Sequence, residues 1–134
     1  MSDIDIISQY REQFVTYLNE RNQLGEPKNL YEPVKYILGL GGKRMRPILT
    51  LMTAEAFGGK AKDAMDAALA IEMFHNFSLV HDDIMDDAPL RRGKTTVHEK
   101  WDVNTGILSG DAMLILSYQF FESYPTEMYF ELTK

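Results

Sequence analysis

Two aspartates four residues apart, Asp82 and Asp86, have the type and spacing needed to bind a metal ion. If the run HDDIMDD is helical, residues four apart project from one face about a turn from each other. Asp83 and Asp87 repeat that spacing. Each like-charged pair destabilises a helix by roughly 0.2–0.5 kcal/mol, and negative charge is also unfavourable near a helix C-terminus. A bound cation would remove this conflict.

Magnesium is the cation that this arrangement favours. Mg²⁺ is usually held by one or two carboxylates together with substrate phosphates. A calcium-binding EF-hand is excluded, because DDIMDDAPLRRG lacks the alternating oxygen ligands, the central glycine and the closing glutamate of that loop. The structural alternative is a solvated acidic helix end that binds nothing.

Basic residues follow the aspartates and suit a phosphate group. Arg91, Arg92 and Lys94 lie in the segment RRGKTTVHEKWD, and their donors match phosphate oxygens. His75, seven residues before Asp82, falls within roughly 20° of the same helix face. We expect His75 either to contact a second anionic ligand or to be a satisfied core histidine.

A second basic cluster lies in the loop GLGGKRMRP. Its glycines free the backbone, and Lys43, Arg44 and Arg46 crowd the start of a predicted helix, which itself favours anions. A solvated loop is the alternative. Two basic clusters, one of them beside carboxylates, indicate two anionic substrates, one of which needs a metal for its phosphate to leave. This is the outline of a transfer reaction.

Helical periodicity and stop signals place these clusters on a series of helices. The chain shows no strand-like alternation and no internal repeat. The last segment, TEMYFELTK, has helical composition but no stop signal, which suggests that the sequence ends inside an element. Helices are predicted from about Ile7 to Leu24, from Leu30 to the glycine at 39 with Pro33 in the first turn, from Pro47 to Gly58, from about Asp63 to Asp87 as a long buried helix, and from about Asn104 to Tyr124.

Gly106 and Gly110 lie one turn apart in the last of these helices. Two small residues at that spacing allow a neighbouring helix to approach closely. Purely local packing is the alternative.

Composition excludes several classes of function. The 134 residues carry a net charge of −6, with 20 acidic and 14 basic residues, so neither a nucleic-acid nor an anionic-membrane footprint is expected. The absence of cysteine excludes disulfides, thiolate metal sites and cysteine nucleophiles. Such a chain is compatible with a reducing compartment, and we expect it to be cytoplasmic.

Neither a signal peptide nor a membrane insertion is predicted. The first residues, MSDIDIISQYRE, alternate acidic and apolar residues and lack the basic and continuous apolar regions of a signal peptide. The apolar stretch from Ala112 to Phe121 is about half the length that a spanning helix requires.

Four segments together resemble the trans-prenyl diphosphate synthases: GGKRMRP, FHNFSLVHDDIMDD, RRGKTTVH and ILSGDAMLI. The resemblance covers the chain from about residue 30 onward, and the combination is far more specific than DDxxD alone. It implies an all-α fold, a helical bundle of the isoprenoid synthase type around an apolar cleft. It also implies a homodimer that condenses isopentenyl diphosphate with an allylic diphosphate.

The same resemblance implies a role for each site residue. Asp82 and Asp86 match Mg²⁺ ligands, Asp83 matches a weaker or indirect participant, and Arg91 matches the residue that grips the allylic diphosphate. The positions that hold isopentenyl diphosphate in the family correspond here to Lys43, Arg46, His75 and Arg92. Departure of diphosphate from the allylic substrate would leave an allylic cation, which the isopentenyl double bond attacks before a proton is lost.

Product length in the family depends on the side chains just before the aspartates. Phe77 lies five residues before Asp82, and Ser78 lies four before it. An aromatic residue at the earlier position, with no insertion inside DDxxD, resembles the geranylgeranyl diphosphate synthases. We therefore expect a C20 product, with C15 as the alternative, and expect Phe77→Ala to lengthen the product.

Members of this family are much longer and carry a second aspartate-rich motif and further lysines, which are absent here. We therefore expect residues 1–134 to be the truncated N-terminal part of a single all-α synthase domain. The alternatives are a catalytically incomplete fragment or non-catalytic partner subunit, and a terpene cyclase that uses the same DDxxD ionisation. GGKRMRP disfavours the cyclase, which has no use for an isopentenyl site.

Overall fold

The computed structural model describes residues 3–22 and 25–134, and their regular secondary structure is almost entirely helical. The elements are α1 (Asp3–Arg21), α2 (Lys28–Gly39), α3 (Met45–Ala56), a 3₁₀ turn (Ala61–Ala64), α4 (Met65–Met85), β1 (Leu90–Arg91), β2 (Lys94–Thr95), α5 (Val97–Lys100), α6 (Val103–Phe121) and α7 (Thr126–Leu132). The all-α prediction is confirmed. Leu24, the predicted end of the first helix, lies outside the described residues.

Several helix boundaries differ from the prediction. Helix α2 begins at Lys28, so Pro33 lies in its second turn and is buried rather than opening the helix. The predicted long helix splits, because its first residues form the 3₁₀ turn and the α-helix begins at Met65. Helix α6 ends at Phe121, three residues earlier than predicted.

Strands β1 and β2 form a small antiparallel hairpin, which the sequence patterns did not indicate. Leu90 pairs with Thr95 and Arg91 with Lys94. The two connecting residues, Arg92 and Gly93, both have positive φ, at 52° and 73°, which is the conformation that a two-residue hairpin turn requires. Strands of two residues are too short to produce an alternating sequence pattern.

The described chain divides into two compact units. The first comprises residues 3–22, 43–72 and 117–134. In it, α1 contacts α3, and both helices bury apolar side chains such as Phe14, Leu18, Ile48 and Leu51. A second cluster forms where Ala67 and Ala70 of α4 meet Phe121.

The second unit comprises residues 25–42 and 73–116. Its buried apolar residues include Val34 and Ile37 of α2, Val80 of α4 and Met113 of α6. The Ser109 hydroxyl donates a 2.8 Å hydrogen bond to the Leu30 carbonyl oxygen, which joins α6 to α2. This unit carries the aspartate motif and the hairpin.

None of the helices in the described part of the chain combines the length and the apolar character that a membrane span requires.

Candidate metal and phosphate site

Helix α4 ends in the middle of the aspartate motif. The Ala88 N–H donates to the Asp83 carbonyl oxygen at 2.9 Å, and the Asp87 N–H donates to the Ile84 carbonyl oxygen at 3.2 Å. This pair of bonds is a Schellman motif, which places one residue in the left-handed region and usually selects glycine there. Here that residue is Asp87, with φ of 49°. Asp82 and Asp86 therefore lie in the last turn, one turn apart, as predicted.

The three aspartates assigned to the motif occupy different environments. Asp82 and Asp86 are exposed, whereas Asp83 is 4% exposed. Two exposed carboxylates one turn apart offer only oxygen ligands, which fits a hard divalent cation such as Mg²⁺. Because they are only two, phosphate oxygens or water would have to complete the coordination.

Asp83 is held by Arg91 of the hairpin. The Arg91 Nε donates to Asp83 Oδ2 at 2.8 Å, and Nη2 donates to Oδ1 at 2.7 Å. The hydrogen bond to Asp83, with the charge of Asp83 and Asp82 nearby, raises the pKa of Arg91. This bidentate pair fixes the guanidinium beside the exposed carboxylates of Asp82 and Asp86.

Arg92 is fixed to the glycine loop that precedes α3. Its Nη1 donates to the Gly41 carbonyl oxygen. A Cβ added at Gly42, where φ is 135°, would lie 2.9 Å from the Arg92 Cζ. Gly42 therefore leaves room for the guanidinium. The sequence placed glycines and arginines in two clusters, and in this unit the structure brings Gly41 and Gly42 of one cluster against Arg92 of the other.

His75, Phe77 and Ser78 lie along the same helix as the aspartates. His75 is half-buried, and its carbonyl oxygen accepts a 2.6 Å hydrogen bond from the Ser78 hydroxyl. The Phe77 ring lies between Phe74 and His81, with centroid separations of 5.4 Å and 4.9 Å. Phe77, which is predicted to control product length, therefore has a ring contact on each side.

The remaining two residues of the predicted isopentenyl site, Lys43 and Arg46, belong to the first unit and are exposed. The Lys43 carbonyl oxygen accepts a 3.2 Å hydrogen bond from the Arg11 Nε. Arg44, grouped with them as a loop cation, is instead 7% exposed and lies 3.6 Å from Glu72. Its backbone is left-handed, with φ of 57°.

His81 is a residue that the sequence patterns did not single out. Its Nε2 lies 3.1 Å from the Ile107 carbonyl oxygen and 3.7 Å from Asp111 Oδ1. A Cβ at Gly110 would collide with the His81 ring, and one at Gly106 would lie 2.9 Å from Ile84 Cδ1. The two glycines therefore admit side chains of α4, which supports the close-approach interpretation. His81 and Gly110 both lie in segments that carry the family resemblance, FHNFSLVHDDIMDD and ILSGDAMLI, and that was the only sequence signal for this contact.

Comparison with known proteins gives a consistent result. The family model described as polyprenyl synthetase matches residues 27–134. A geranylgeranyl pyrophosphate synthase of Geoglobus acetivorans is 48% identical over 94 residues, which are 70% of this chain and 30% of the relative. A farnesyl diphosphate synthase of Micrococcus luteus is 47% identical over 92 residues, covering 67% of this chain and 32% of the relative.

Solved structures extend the similarity to the fold. A crystal structure of a geranylgeranyl pyrophosphate synthase superposes with a TM-score of 0.91 at 59% identity, covering 93% of this chain and 38% of that one. A geranylgeranyl pyrophosphate synthetase from Geoglobus acetivorans gives 0.90 at 38% identity, covering 96% of this chain and 43% of that one. The chain thus spans about a third of the length of the curated relatives it matches. With its family model matched over residues 27–134, the chain belongs to the polyprenyl synthetase family.

Proposed function

We propose that this chain supplies the allylic diphosphate site of a Mg²⁺-dependent prenyltransferase, which condenses isopentenyl diphosphate with an allylic diphosphate. The observation that supports this most directly is the exposed pair Asp82 and Asp86 beside an arginine that Asp83 already holds in place. Carboxylates for a cation and a guanidinium for phosphate thus occur together in one unit. The names of the relatives are consistent with the same chemistry.

Asp82 and Asp86 would hold Mg²⁺, which when bound would offset the charge that develops on the leaving diphosphate. Arg91 would add to that stabilisation. Its two bonds to Asp83 use two of the five N–H donors of the guanidinium, so the others are available to phosphate oxygens. Asp83 then acts through Arg91 rather than on the metal.

The second substrate, isopentenyl diphosphate, would be bound by Lys43, Arg46, His75 and Arg92. The anchoring of Arg92 on the Gly41 carbonyl supports this assignment, because it limits the positions that the guanidinium can adopt. In this proposal the bond forms between the allylic carbon and the isopentenyl double bond, diphosphate leaves, and a proton is lost.

Product length would be limited by Phe77, with Ser78 beside it. The contacts of the Phe77 ring with Phe74 and His81 favour a rigid stop. We propose a C20 product, with C15 as the alternative. The relatives named geranylgeranyl pyrophosphate synthase and farnesyl diphosphate synthase have similar sequence identity to this chain. Their names therefore do not distinguish a C20 product from a C15 product.

The proposed setting is a cytoplasmic homodimer in which residues 1–134 form part of one synthase domain. One observation favours a second candidate, a catalytically incomplete part or a non-catalytic partner of a synthase. The chain spans only about a third of the length of its curated relatives. In this candidate, residues outside these 134 supply the remaining groups that a synthase needs.

Two measurements test the proposal. The first is product formation from isopentenyl diphosphate, an allylic diphosphate and Mg²⁺, with the extracted prenyl products identified by mass spectrometry. We expect a complete enzyme carrying Asp82→Ala to lose at least about 100-fold in kcat. Glu122→Ala, which removes an exposed acid after α6, should leave kcat unchanged. A near-normal kcat for Asp82→Ala would refute the assigned role.

The second measurement is calorimetric binding of the allylic diphosphate with Mg²⁺ to the 134-residue chain itself. Binding that disappears with a chelator and in Asp82→Ala, without product formation, would favour the incomplete or partner candidate. Binding that persists in the presence of the chelator and in Asp82→Ala would exclude the proposed site.

A further inference from the structure

A buried histidine faces two carboxylates next to, but outside, the predicted Mg²⁺ site. The His98 Nε2 lies 3.8 Å from Asp87 Oδ1 and 3.8 Å from Glu99 Oε1. The three ligand atoms all lie within 4.8 Å of one another. The His98 side chain is 4% exposed, and in the described part of the chain neither of its ring nitrogens has a hydrogen-bond partner. A buried polar group without a partner is destabilising, so an ion bound to this imidazole would stabilise the folded chain.

Local structure brings these residues together with several contacts. The Thr96 hydroxyl donates to the Ala88 carbonyl oxygen at 2.8 Å, and the Thr96 N–H donates to the Pro89 carbonyl oxygen at 3.1 Å. These bonds place the start of α5 beside the end of α4. Gly106 backs His98 from α6, since a Cβ there would lie 3.5 Å from the His98 Cβ. The imidazole is therefore held at a fixed distance from Asp87.

The backbone of Asp87 supports a role for its side chain. It occupies the left-handed position of the helix-ending motif, where glycine would be less strained. Its carboxylate is 90% exposed, so the site is open to solvent on one side and an ion can reach it.

We propose that Asp87, His98 and Glu99 form a binding site for a divalent transition-metal ion, with Zn²⁺ as its best probe. One imidazole nitrogen with two carboxylate oxygens is a donor set that Zn²⁺ accepts, and water would complete the coordination. Metal–ligand distances near 2.1 Å in tetrahedral geometry separate ligand atoms by about 3.4 Å. The two separations of 3.8 Å from His98 Nε2 need to contract by a few tenths of an ångström. The Asp87 and Glu99 oxygens, which lie within 4.8 Å of each other, would approach by rotation of these two exposed side chains.

The chemistry distinguishes this site from the aspartate motif. Mg²⁺ prefers oxygen ligands, whereas the imidazole favours a transition metal. A metal here would join residue 87 to residues 98 and 99, and so would brace both ends of the hairpin that carries Arg91. This inference does not depend on the proposed prenyltransferase activity, because it is tested by metal binding alone.

The test is a titration of the chain with Co²⁺ in excess Mg²⁺, followed by visible absorption, and then displacement by Zn²⁺. We expect a saturable absorption of a low-coordinate Co²⁺ site at equimolar metal, which Zn²⁺ removes. Asp87→Asn and Glu99→Gln change exposed side chains and should each weaken binding by at least about tenfold. His98→Asn should abolish it, and the two exposed variants keep the test valid if His98→Asn does not fold.

Two control variants separate this site from others. Asp82→Asn combined with Asp86→Asn should leave the Co²⁺ absorption intact, as should Glu122→Gln. Zn²⁺ should also raise the melting temperature of the unaltered chain but not that of Asp87→Asn. The proposal would be overturned if the Co²⁺ absorption were lost in the variant with Asp82→Asn and Asp86→Asn. It would also be overturned if Asp87→Asn and Glu99→Gln left the absorption unchanged, or if the chain bound no Co²⁺.

Discussion

Neighbouring aspartates in the sequence HDDIMDD differ sharply in what surrounds them. Asp82 and Asp86 are exposed, Asp83 is buried against Arg91, and Asp87 faces His98. Helical spacing predicts which carboxylates share a face, because that depends only on the period of the helix. It does not predict the partner of Asp83, since Arg91 reaches it only after the hairpin has formed. The burial of Arg44 could not be predicted for the same reason, because its partner Glu72 lies far along the chain.

The Asp83–Arg91 pair should contribute strongly to stability. Asp83→Asn leaves a largely buried guanidinium without its charged partner, so we expect a loss of about 2 kcal/mol in the free energy of unfolding. Asp86→Asn alters an exposed carboxylate in the same turn and should be neutral or slightly stabilising without metal. Urea unfolding of both variants tests this, and equal stabilities would contradict it.

Tyr17 should make the first unit sensitive to alkaline pH. Burial, and then its hydrogen bond to Asp66, raises the pKa of Tyr17 to about 12 from 10.0. The folded chain therefore holds this proton more tightly than the unfolded chain. The resulting stabilisation is complete below pH 10.0 and is lost as pH rises towards about 12.

Urea midpoints measured across that range give the test. Tyr17→Phe should reduce the alkaline loss of stability, whereas Tyr118→Phe, at an exposed tyrosine of α6, should leave it unchanged. Tyr124, whose pKa is raised by burial, and Tyr10, whose pKa is raised by its hydrogen bond to Glu55, contribute to the loss that remains. Identical alkaline profiles for Tyr17→Phe and the unaltered chain would exclude the assignment.

At the scale of elements, the long helices follow from apolar periodicity and from glycine and proline stops. The hairpin and α5 do not, because elements of two to four residues are too short to carry a period. They form through tertiary contacts such as the Tyr36 hydroxyl donating to the Thr95 carbonyl oxygen at 2.6 Å. The part of the site that sequence could not predict is therefore the segment that places Arg91 and His98.

Gly106 and Gly110 give a matched test of how α6 meets α4. At Gly110 a methyl group would displace the His81 ring, which Phe77 and the Ile107 carbonyl hold. At Gly106 its nearest neighbour is the flexible end of the Ile84 side chain at 2.9 Å, and the His98 Cβ at 3.5 Å is in ordinary van der Waals contact. We expect Gly110→Ala to lower the free energy of unfolding by about 1–3 kcal/mol. Gly106→Ala should remain within about 1 kcal/mol, because alanine favours the helix. Thermal unfolding that ranks them in reverse would contradict this packing.

At the scale of the whole molecule, large apolar side chains remain exposed among the described residues. Leu108 and Ile115 of α6 are each 59% exposed and lie seven residues apart, on one helix face. Exposed apolar surface of this kind promotes association. It is consistent with the proposed homodimer and with a chain that spans about a third of its relatives.

We therefore expect the mass measured by analytical ultracentrifugation to rise with protein concentration. Leu108→Ser combined with Ile115→Ser should lower the association, and Asn104→Ser, at an exposed polar position of the same helix, should not. A mass equal to 15.4 kDa at every concentration would show that this face has no partner in solution.

The acidic end of α4 also has a consequence for local motion. Its last turn carries mutually repelling carboxylates at the unfavourable end of the helix dipole, and a non-glycine residue occupies its left-handed cap. Without a cation, this turn should open far more often than the buried middle of the helix, so its backbone amides should exchange with deuterium early. Adding Mg²⁺ with inorganic diphosphate should slow the exchange of the amides of Asp86, Asp87 and Ala88. Binding of the substrate would then be detected as less frequent opening of the last turn of α4.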